Sequence, residues 1–335
     1  MLKTSLCYQL GIDYPIFSVG MGVFAVPELA AAVSNAGACG GLGRTAGAPV
    51  SDLRQRIQRL RTLTDKPFGV NAILARLQEG QIETCFEERV PLLMLFWGDP
   101  TPYVQEAHRR GLKVFIQVGS VEEAAAAADA GVDAIIAQGV EAGGHVKGTI
   151  ALSTLVPAVV EAVKPVPVIA AGGIATSPGI VAALSLGAQG VYMGTRFLCS
   201  EEAFAAQGYK ERVVQSTAKD TVYTQLFNVG WPDAPYRVLR NKAVTEWEAA
   251  GCPSSGQRPG EGSIIGAAPK AGTTVELVKY PPSSYPTPGF QGNMEYTVLY
   301  AGESCGLVHD IKPAAQIVHD LVHEAEAVIE QMQRM

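Results

Sequence analysis

The stretch PVIAAGGIATSPGIVAALSLGAQGVYMGTRF (167–197) contains an apolar run, a glycine turn, a helical segment and a second apolar run. Both apolar runs are short and continuous rather than alternating, which is typical of strands buried on both faces of a parallel sheet. The segment between them (177–188) has helical periodicity and a glycine near its end. The stretch therefore predicts a β-α-β unit.

The same rhythm extends towards the N-terminus. The further runs are PIFSVG (15–20), ACGGLG (38–43), FGVNAI (68–73), PLLMLFWG (91–98), KVFIQVG (113–119) and AIIAQG (134–139). Eight such units within roughly 185 residues predict an α/β protein with a (β/α)8 TIM barrel. The alternative is an open doubly wound sheet, which more often has a GxGxxG turn after its first strand. The turn at 20–25 lacks the third glycine, so the barrel is favoured.

The pattern changes after residue 200. We predict a barrel over 1–200, a helical and loop insertion over 201–300, and a C-terminal segment (301–335) that packs back on the barrel. Residues 201–250 look helical, whereas 252–295 are rich in Gly, Pro and Ser. A loop of this length is usually functional, so we expect a lid over the active site, with disorder as the alternative. An amphipathic helix over 311–332 would close the outer ring.

Composition restricts the classes of function. The chain has 335 residues, 47% of them hydrophobic, and a formal net charge of −6. No basic block indicates nucleic acid, and no apolar run is long enough for a membrane span. The six cysteines are scattered, and His319 and His323 lack a third ligand at a recognisable spacing, so we predict no metal. No signal peptide is expected at the N-terminus, which favours the cytoplasm.

Two glycine turns predict a phosphate site. One apolar run continues into Gly172 and Gly173, and the last run ends at Met193, Gly194 and Thr195. In (β/α)8 barrels the loops after strands seven and eight commonly bind phosphate, because glycine lets backbone N–H groups approach the anion. The alternative is that these glycines serve only the turns.

Several motifs together resemble the nitronate monooxygenases, formerly called 2-nitropropane dioxygenases, and their relatives the FMN-dependent enoyl-ACP reductases. The motifs are GIDYPI (11–16), PFGVN (67–71), QGVEAGGH (138–145), AGGIA (171–175), MGTRF (193–197) and YAG (300–302). The chain departs from the family pattern at SVGM (18–21) and at Glu303, where the family usually has glutamine.

The resemblance implies FMN as the cofactor and His145 as the catalytic residue. The cofactor-binding residues that it implies, together with those of the glycine turns, are Gly20, Met21, Gly22, Asn71, Gln117, Gln138, Gly143, Gly144, Gly172, Gly173, Met193, Gly194 and Thr195. An imidazole near its ordinary pKa could orient and neutralise a nitronate, or take the α-proton of a nitroalkane.

Other side chains are candidates for substrate binding. We name Glu141, Arg237 and Tyr300. Glu141 could instead brace its own loop by hydrogen bonding to the backbone. Arg237 could instead be a surface charge on an exposed helix. Trp231, Tyr236 and Tyr300 could line an apolar pocket, although aromatic side chains more often pack in cores.

The expected activity is oxidation of alkyl nitronates by O2 to a carbonyl compound and nitrite. The alternative is reduction of an enoyl thioester or quinone by NAD(P)H through the same flavin, because one fold can serve both. A third hypothesis, a barrel of the inosine-monophosphate dehydrogenase type, needs a nucleophilic cysteine in a central loop, and the loop at 139–145 has none. The partners expected are a small anionic substrate and O2, with NAD(P)H and a homodimer as open options.

Overall fold

The computed structural model describes residues 2–44, 48–270 and 273–334. Its strands are β1 (Ile16–Ser18), β2 (Gly40–Leu42), β3 (Phe68–Ile73), β4 (Leu92–Phe96), β5 (Lys113–Val118), β6 (Ala134–Gln138), β7 (Gly144–His145), β8 (Val168–Ala171), β9 (Gly190–Met193), β10 (Thr221–Thr224), β11 (Tyr236–Leu239), β12 (Ile264–Lys270), β13 (Thr273–Val278) and β14 (Gln291–Gly292).

The helices alternate with the barrel strands and continue to the C-terminus. They are α1 (Ser5–Leu10), α2 (Pro27–Asn35), α3 (Val50–Leu63), α4 (Gln81–Glu87), α5 (Thr101–Arg109), α6 (Val121–Asp129), α7 (Leu152–Ala162), α8 (Ser177–Ser185), α9 (Thr195–Leu198), α10 (Gln207–Val214), α11 (Lys242–Ala249) and α12 (Ala314–Gln333). Within the described residues, none of them combines the length and apolar composition needed to cross a bilayer.

The predicted (β/α)8 barrel is confirmed. Parallel pairing links eight strands in the order β1-β9-β8-β6-β5-β4-β3-β2. A parallel bridge between Phe17 and Cys39 closes the ring between β1 and β2, and Ser18 N donates to the Cys39 carbonyl over 3.0 Å. Each of the eight apolar runs contains one barrel strand, because a strand buried on both faces needs a continuous run.

Apolar side chains fill both sides of the barrel wall. Inside the ring, Phe17 and Phe115 pack edge to face with ring centroids 6.1 Å apart, and Leu6 and Cys7 of α1 join the same inner cluster. Outside it, the helices cover the other face of the strands. The C-terminal helix α12 packs against α8 and α2 and completes this outer layer.

The prediction of a helical segment over 201–250 was only partly correct. The helices α10 and α11 lie there, but strands β10 and β11 lie between them and pair antiparallel. All four residues of β11 are buried. Apart from Arg237 these residues are apolar and do not alternate with polar ones, so the sequence has no strand periodicity here. Pairing with other strands in the folded chain makes this segment a strand.

Residues 252–295, where we expected a long loop serving as a lid, contain the strands β12, β13 and β14. β12 pairs antiparallel with β13 and with β14. A Cβ on Gly266 would lie 2.5 Å from the Gln291 carbonyl oxygen, so this glycine permits close approach of two strands instead of marking a loop. Residues 271–272 of this segment lie outside the described residues.

Candidate active site

The predicted cofactor-binding residues meet at the carboxyl ends of the barrel strands. Gly20, Met21 and Gly22 follow β1, Asn71 lies in β3, Gln117 in β5 and Gln138 at the end of β6, while Gly172 and Gly173 follow β8, Met193 ends β9 and Gly194 and Thr195 come next. Because β8, β9 and β1 are neighbours in the ring, the turns that follow them lie side by side. This is the face on which barrel enzymes carry their active sites.

The two glycine turns differ in whether backbone conformation requires a glycine. Gly172 and Gly173 have φ angles of 100° and 71°, a region that side chains other than glycine rarely adopt. Gly194 has a φ of −100°, and a Cβ there would find no atom of the described residues nearer than 3.6 Å. Neither backbone conformation nor packing requires glycine at 194. A glycine at a position where a methyl group would also fit suits an anion that approaches the backbone closely.

His145 is fixed to the barrel by its backbone. It pairs with Tyr236 in the sheet formed by β7 and β11, and its carbonyl accepts a hydrogen bond from Gln138 Nε2 over 2.9 Å. A Cβ on Gly143 would lie 2.3 Å from the backbone nitrogen of Gly302. The loop before His145 is therefore packed directly on the chain at 301–302.

That same chain segment reaches the turn at Gly194 and Thr195. Gly302 N donates to Thr195 Oγ1 over 3.0 Å. On the other side, a Cβ on Gly172 would lie 3.1 Å from Ala142, and one on Gly173 would lie 3.4 Å from Glu141 Cβ. The loop that carries His145 and the two glycine turns therefore form one continuous surface.

Aromatic rings surround the imidazole of His145. The ring centroids of Trp231 and Tyr236 lie 4.1 and 4.2 Å away, and those of Trp97 and Tyr300 lie 5.9 and 6.4 Å away. Trp97 has a φ of 59°. A bulky residue in this region is uncommon, and such residues cluster at functional sites.

The imidazole is uncharged at neutral pH. Burial, together with the positive charge of Arg76, lowers the pKa of His145 to about 3, because both disfavour the protonated ring. We expected His145 to neutralise an anionic substrate with its own charge, and this pKa contradicts that expectation. The positive charge near the ring belongs instead to Arg76, which is exposed. Its guanidinium lies 5.6 Å from the Trp231 ring and donates to the Gly230 carbonyl.

The three residues named for substrate binding have their polar groups engaged within the protein. Both Glu141 carboxylate oxygens accept from Leu152 N, over 3.1 Å each, at the start of α7. Arg237 is buried rather than on an exposed helix, donates from Nε and Nη2 to the Val140 carbonyl, and pairs with Glu303 over 3.1 Å. The Tyr300 hydroxyl donates to the Pro282 carbonyl over 2.7 Å. This geometry favours bracing of the loop at 139–145, and a role in substrate binding stays a prediction.

Three buried polar atoms near His145 form no hydrogen bond with the residues that the structure describes. They are Gln138 Oε1, His145 Nδ1 and the Tyr236 hydroxyl. Buried polar atoms are normally paired, so these atoms fit a site for a polar ligand. The amide oxygen of Gln138, next to the glycine turns at the mouth of the barrel, suits a ligand with a heterocyclic ring that offers N–H donors. If this ligand carries a phosphate group, the backbone at Gly194 suits that group.

Sequence reasoning missed Arg76 and Trp97. Both follow barrel strands at the carboxyl end, β3 and β4, and that position was the available signal. A separate surface groove of about 730 Å³, lined by α2, α3 and residues 201–204, contains none of the predicted site residues. Its lining includes neither His145 nor the two glycine turns, so we assign the chemistry to the His145 face.

The chain is similar over nearly its whole length to the proteins of one family. The family model described as "Nitronate monooxygenase" matches residues 3–91 and 76–324. A protein of Paraburkholderia phytofirmans named nitronate monooxygenase is 30% identical over 384 residues, covering 99% of this chain and 98% of that one. A Mycobacterium tuberculosis protein named (3aS,4S,5R,7aS)-5-hydroxy-7a-methyl-1-oxo-octahydro-1H-indene-4-carboxyl-CoA dehydrogenase is 31% identical over 349 residues, covering 97% and 96%. A solved structure of FabK from Thermotoga maritima superposes with a TM-score of 0.83, at 34% identity, over 99% of both chains.

Proposed function

The chain belongs to the nitronate monooxygenase family and is a flavin-dependent oxidoreductase, and from this premise we propose that it oxidises alkyl nitronates with O2 to a carbonyl compound and nitrite. The observation that carries the proposal is an uncharged His145 enclosed by aromatic rings beside the glycine turns. The aromatic walls suit the alkyl group of a nitronate.

We propose FMN as the cofactor. When bound, FMN takes electrons from the substrate and passes them to O2. The open backbone at Gly194 and the turn at Gly172 and Gly173 would hold its phosphate, and Gln138 would hydrogen-bond its ring. The other residues proposed to contact it are Gly20, Met21, Gly22, Asn71, Gln117, Gly143, Gly144, Met193 and Thr195.

His145 would orient the substrate by hydrogen bonding. A ring whose pKa is about 3 is a weak base, because proton-accepting strength follows the pKa of the conjugate acid. Removal of an α-proton from a neutral nitroalkane would therefore be slow. A nitronate has already lost that proton, so this pKa favours nitronates over nitroalkanes as substrates.

The residues beyond the barrel would form the cover of the site. Trp231 and Tyr236 come from the segment over 201–300 and lie directly against His145, which excludes water from the imidazole. Arg76 at the rim adds a positive charge close to the aromatic rings around His145. An anionic substrate would be attracted by this charge and then lie against the aromatic walls.

A second function is supported by two of the similarities to known proteins. The similarity to FabK and to a dehydrogenase of a CoA thioester favours reduction of an enoyl thioester by NAD(P)H at the same site. A quinone would be a related electron acceptor.

Turnover assays separate the two functions. We expect the purified protein to consume O2 and release nitrite from propyl-2-nitronate at the same rate with and without NADH. Under argon, NADH alone should leave the flavin oxidised for the duration of a turnover, whereas the nitronate should bleach it. Fast bleaching by NADH, with crotonyl-CoA reduction and no nitrite, would assign the reductase function instead.

A further inference from the structure

The hydroxyl group of Tyr236 stands apart from those of other buried tyrosines. The Tyr236 side chain is fully buried, yet its hydroxyl forms no hydrogen bond with any described residue. By contrast, Tyr209 donates to the Tyr300 carbonyl over 2.6 Å, and Tyr280 donates to the Pro259 carbonyl over 2.8 Å. Burial of an unpaired hydroxyl destabilises a protein. Its presence here calls for a ligand that pairs with it.

The position of Tyr236 points to the reacting part of the substrate. Tyr236 begins β11 and pairs in register with His145 across the sheet, and the two rings lie 4.2 Å apart at 44°. The Nδ1 atom of His145 is also buried and unpartnered within the described residues. Two side chains whose rings are in contact therefore each offer an unused hydrogen-bonding group.

The chemistry of these groups defines what they can hold. A phenol donates one hydrogen bond, and a neutral imidazole donates one from whichever nitrogen carries the proton. Burial raises the pKa of Tyr236 above its usual value, so the phenol keeps its proton throughout the working range. The positive charge of Arg76 acts on both groups, which favours an anionic oxygen as their hydrogen-bond partner.

We propose that the Tyr236 hydroxyl is a catalytic hydrogen-bond donor that, with the His145 imidazole, holds the negatively charged oxygen of the substrate. The inference rests on the proposed function in taking a nitronate as that substrate. An enolate oxygen formed during reduction of a thioester would be held in the same way, so the donor pair selects an oxyanion conjugated to carbon.

Two matched tyrosine substitutions test the proposal. Y236F removes an unpaired hydroxyl, so we expect the unfolding midpoint to stay equal or to rise, and FMN binding to stay unchanged. Its kcat/KM for propyl-2-nitronate should fall about 10- to 100-fold. Y280F removes a hydroxyl that is bonded to Pro259, so its midpoint should fall while kcat/KM stays within about twofold of the wild type. A purely structural role for Tyr236 would instead lower both quantities together.

Equilibrium binding gives a readout that does not depend on turnover. Nitrate is a planar oxyanion, and Trp231 lies 4.1 Å from His145, so nitrate binding should change tryptophan fluorescence. Y236F should weaken this binding about 10-fold relative to the wild type. Equal affinities, or no saturable binding to the wild type, would overturn the proposal.

The outcome also separates this inference from the proposed function. If the wild type does not oxidise nitronates but reduces crotonyl-CoA with NADH, the proposed function fails. The kcat/KM of Y236F is then measured with crotonyl-CoA as the substrate. A fall of 10- to 100-fold there supports the donor role, and an unchanged kcat/KM refutes it.

Discussion

Replacement of Gly194 by alanine separates cofactor binding from folding. The Gly194 φ of −100° is open to alanine, and the new methyl would lie 3.6 Å from Val19 and 3.9 Å from Met21, which are ordinary contacts. Because alanine loses less chain entropy than glycine on folding, G194A should stabilise the apoprotein by about 0.4–1 kcal/mol. The methyl would, however, occupy the space through which we expect the phosphate to approach.

Loss of one backbone hydrogen bond to a charged phosphate is worth about 1.5–3 kcal/mol, or about 10- to 150-fold in Kd. We would measure it by titrating the apoprotein with FMN and following flavin fluorescence, with unfolding of the apoprotein in parallel. G208A is the matched control, because its methyl would meet only the flexible end of Met294, at 3.0 Å; its FMN affinity should equal that of the wild type. Wild-type FMN affinity in G194A, or a destabilised G194A apoprotein, would refute the reasoning.

Four further outcomes follow from the same structure. H145Q should lower kcat/KM about 10²- to 10³-fold, because the hydrogen bond from the imidazole to the substrate is lost, while the flavin absorbance spectrum is retained; wild-type kcat/KM in H145Q would remove His145 from the chemistry. G143A places a methyl 2.3 Å from Gly302 N and should cost about 1–3 kcal/mol in chemical unfolding, so unchanged stability would contradict the packing described. The folded pKa of His145, about 3, lies below its ordinary 6.5, so the unfolded chain protonates first as the pH falls. The stability that His145 contributes is complete above about pH 6.5 and is lost as the pH falls towards 3. Between pH 7 and pH 5 the free energy of unfolding should drop by about 2 kcal/mol more in the wild type than in H145Q, and equal slopes would count against the buried neutral ring. Cys252 is exposed and the other five cysteines are buried, so native protein should show one fast thiol with Ellman's reagent and all six only after denaturation.

The sequence alone determined the barrel and the place of its active face. Each barrel strand lies in a short, mainly apolar run, such as Leu92–Phe96, and a run buried on both faces has few alternatives to a parallel sheet. The motif that ends at His145 and the turns at Gly173 and Gly194 all follow strands, so the strand rhythm also placed them at one end of the barrel.

Only the tertiary structure decided the state of the groups at that face. The rings around His145 come from residues 97, 231, 236 and 300, and no local pattern links segments so far apart in sequence. The uncharged imidazole follows from their combined burial of the ring and from the charge of Arg76. The engagement of Arg237 with Glu303 and the Val140 carbonyl likewise depends on pairing between distant strands. A pKa or a hydrogen bond is set by all the atoms around a group, and those atoms meet only when the chain has folded.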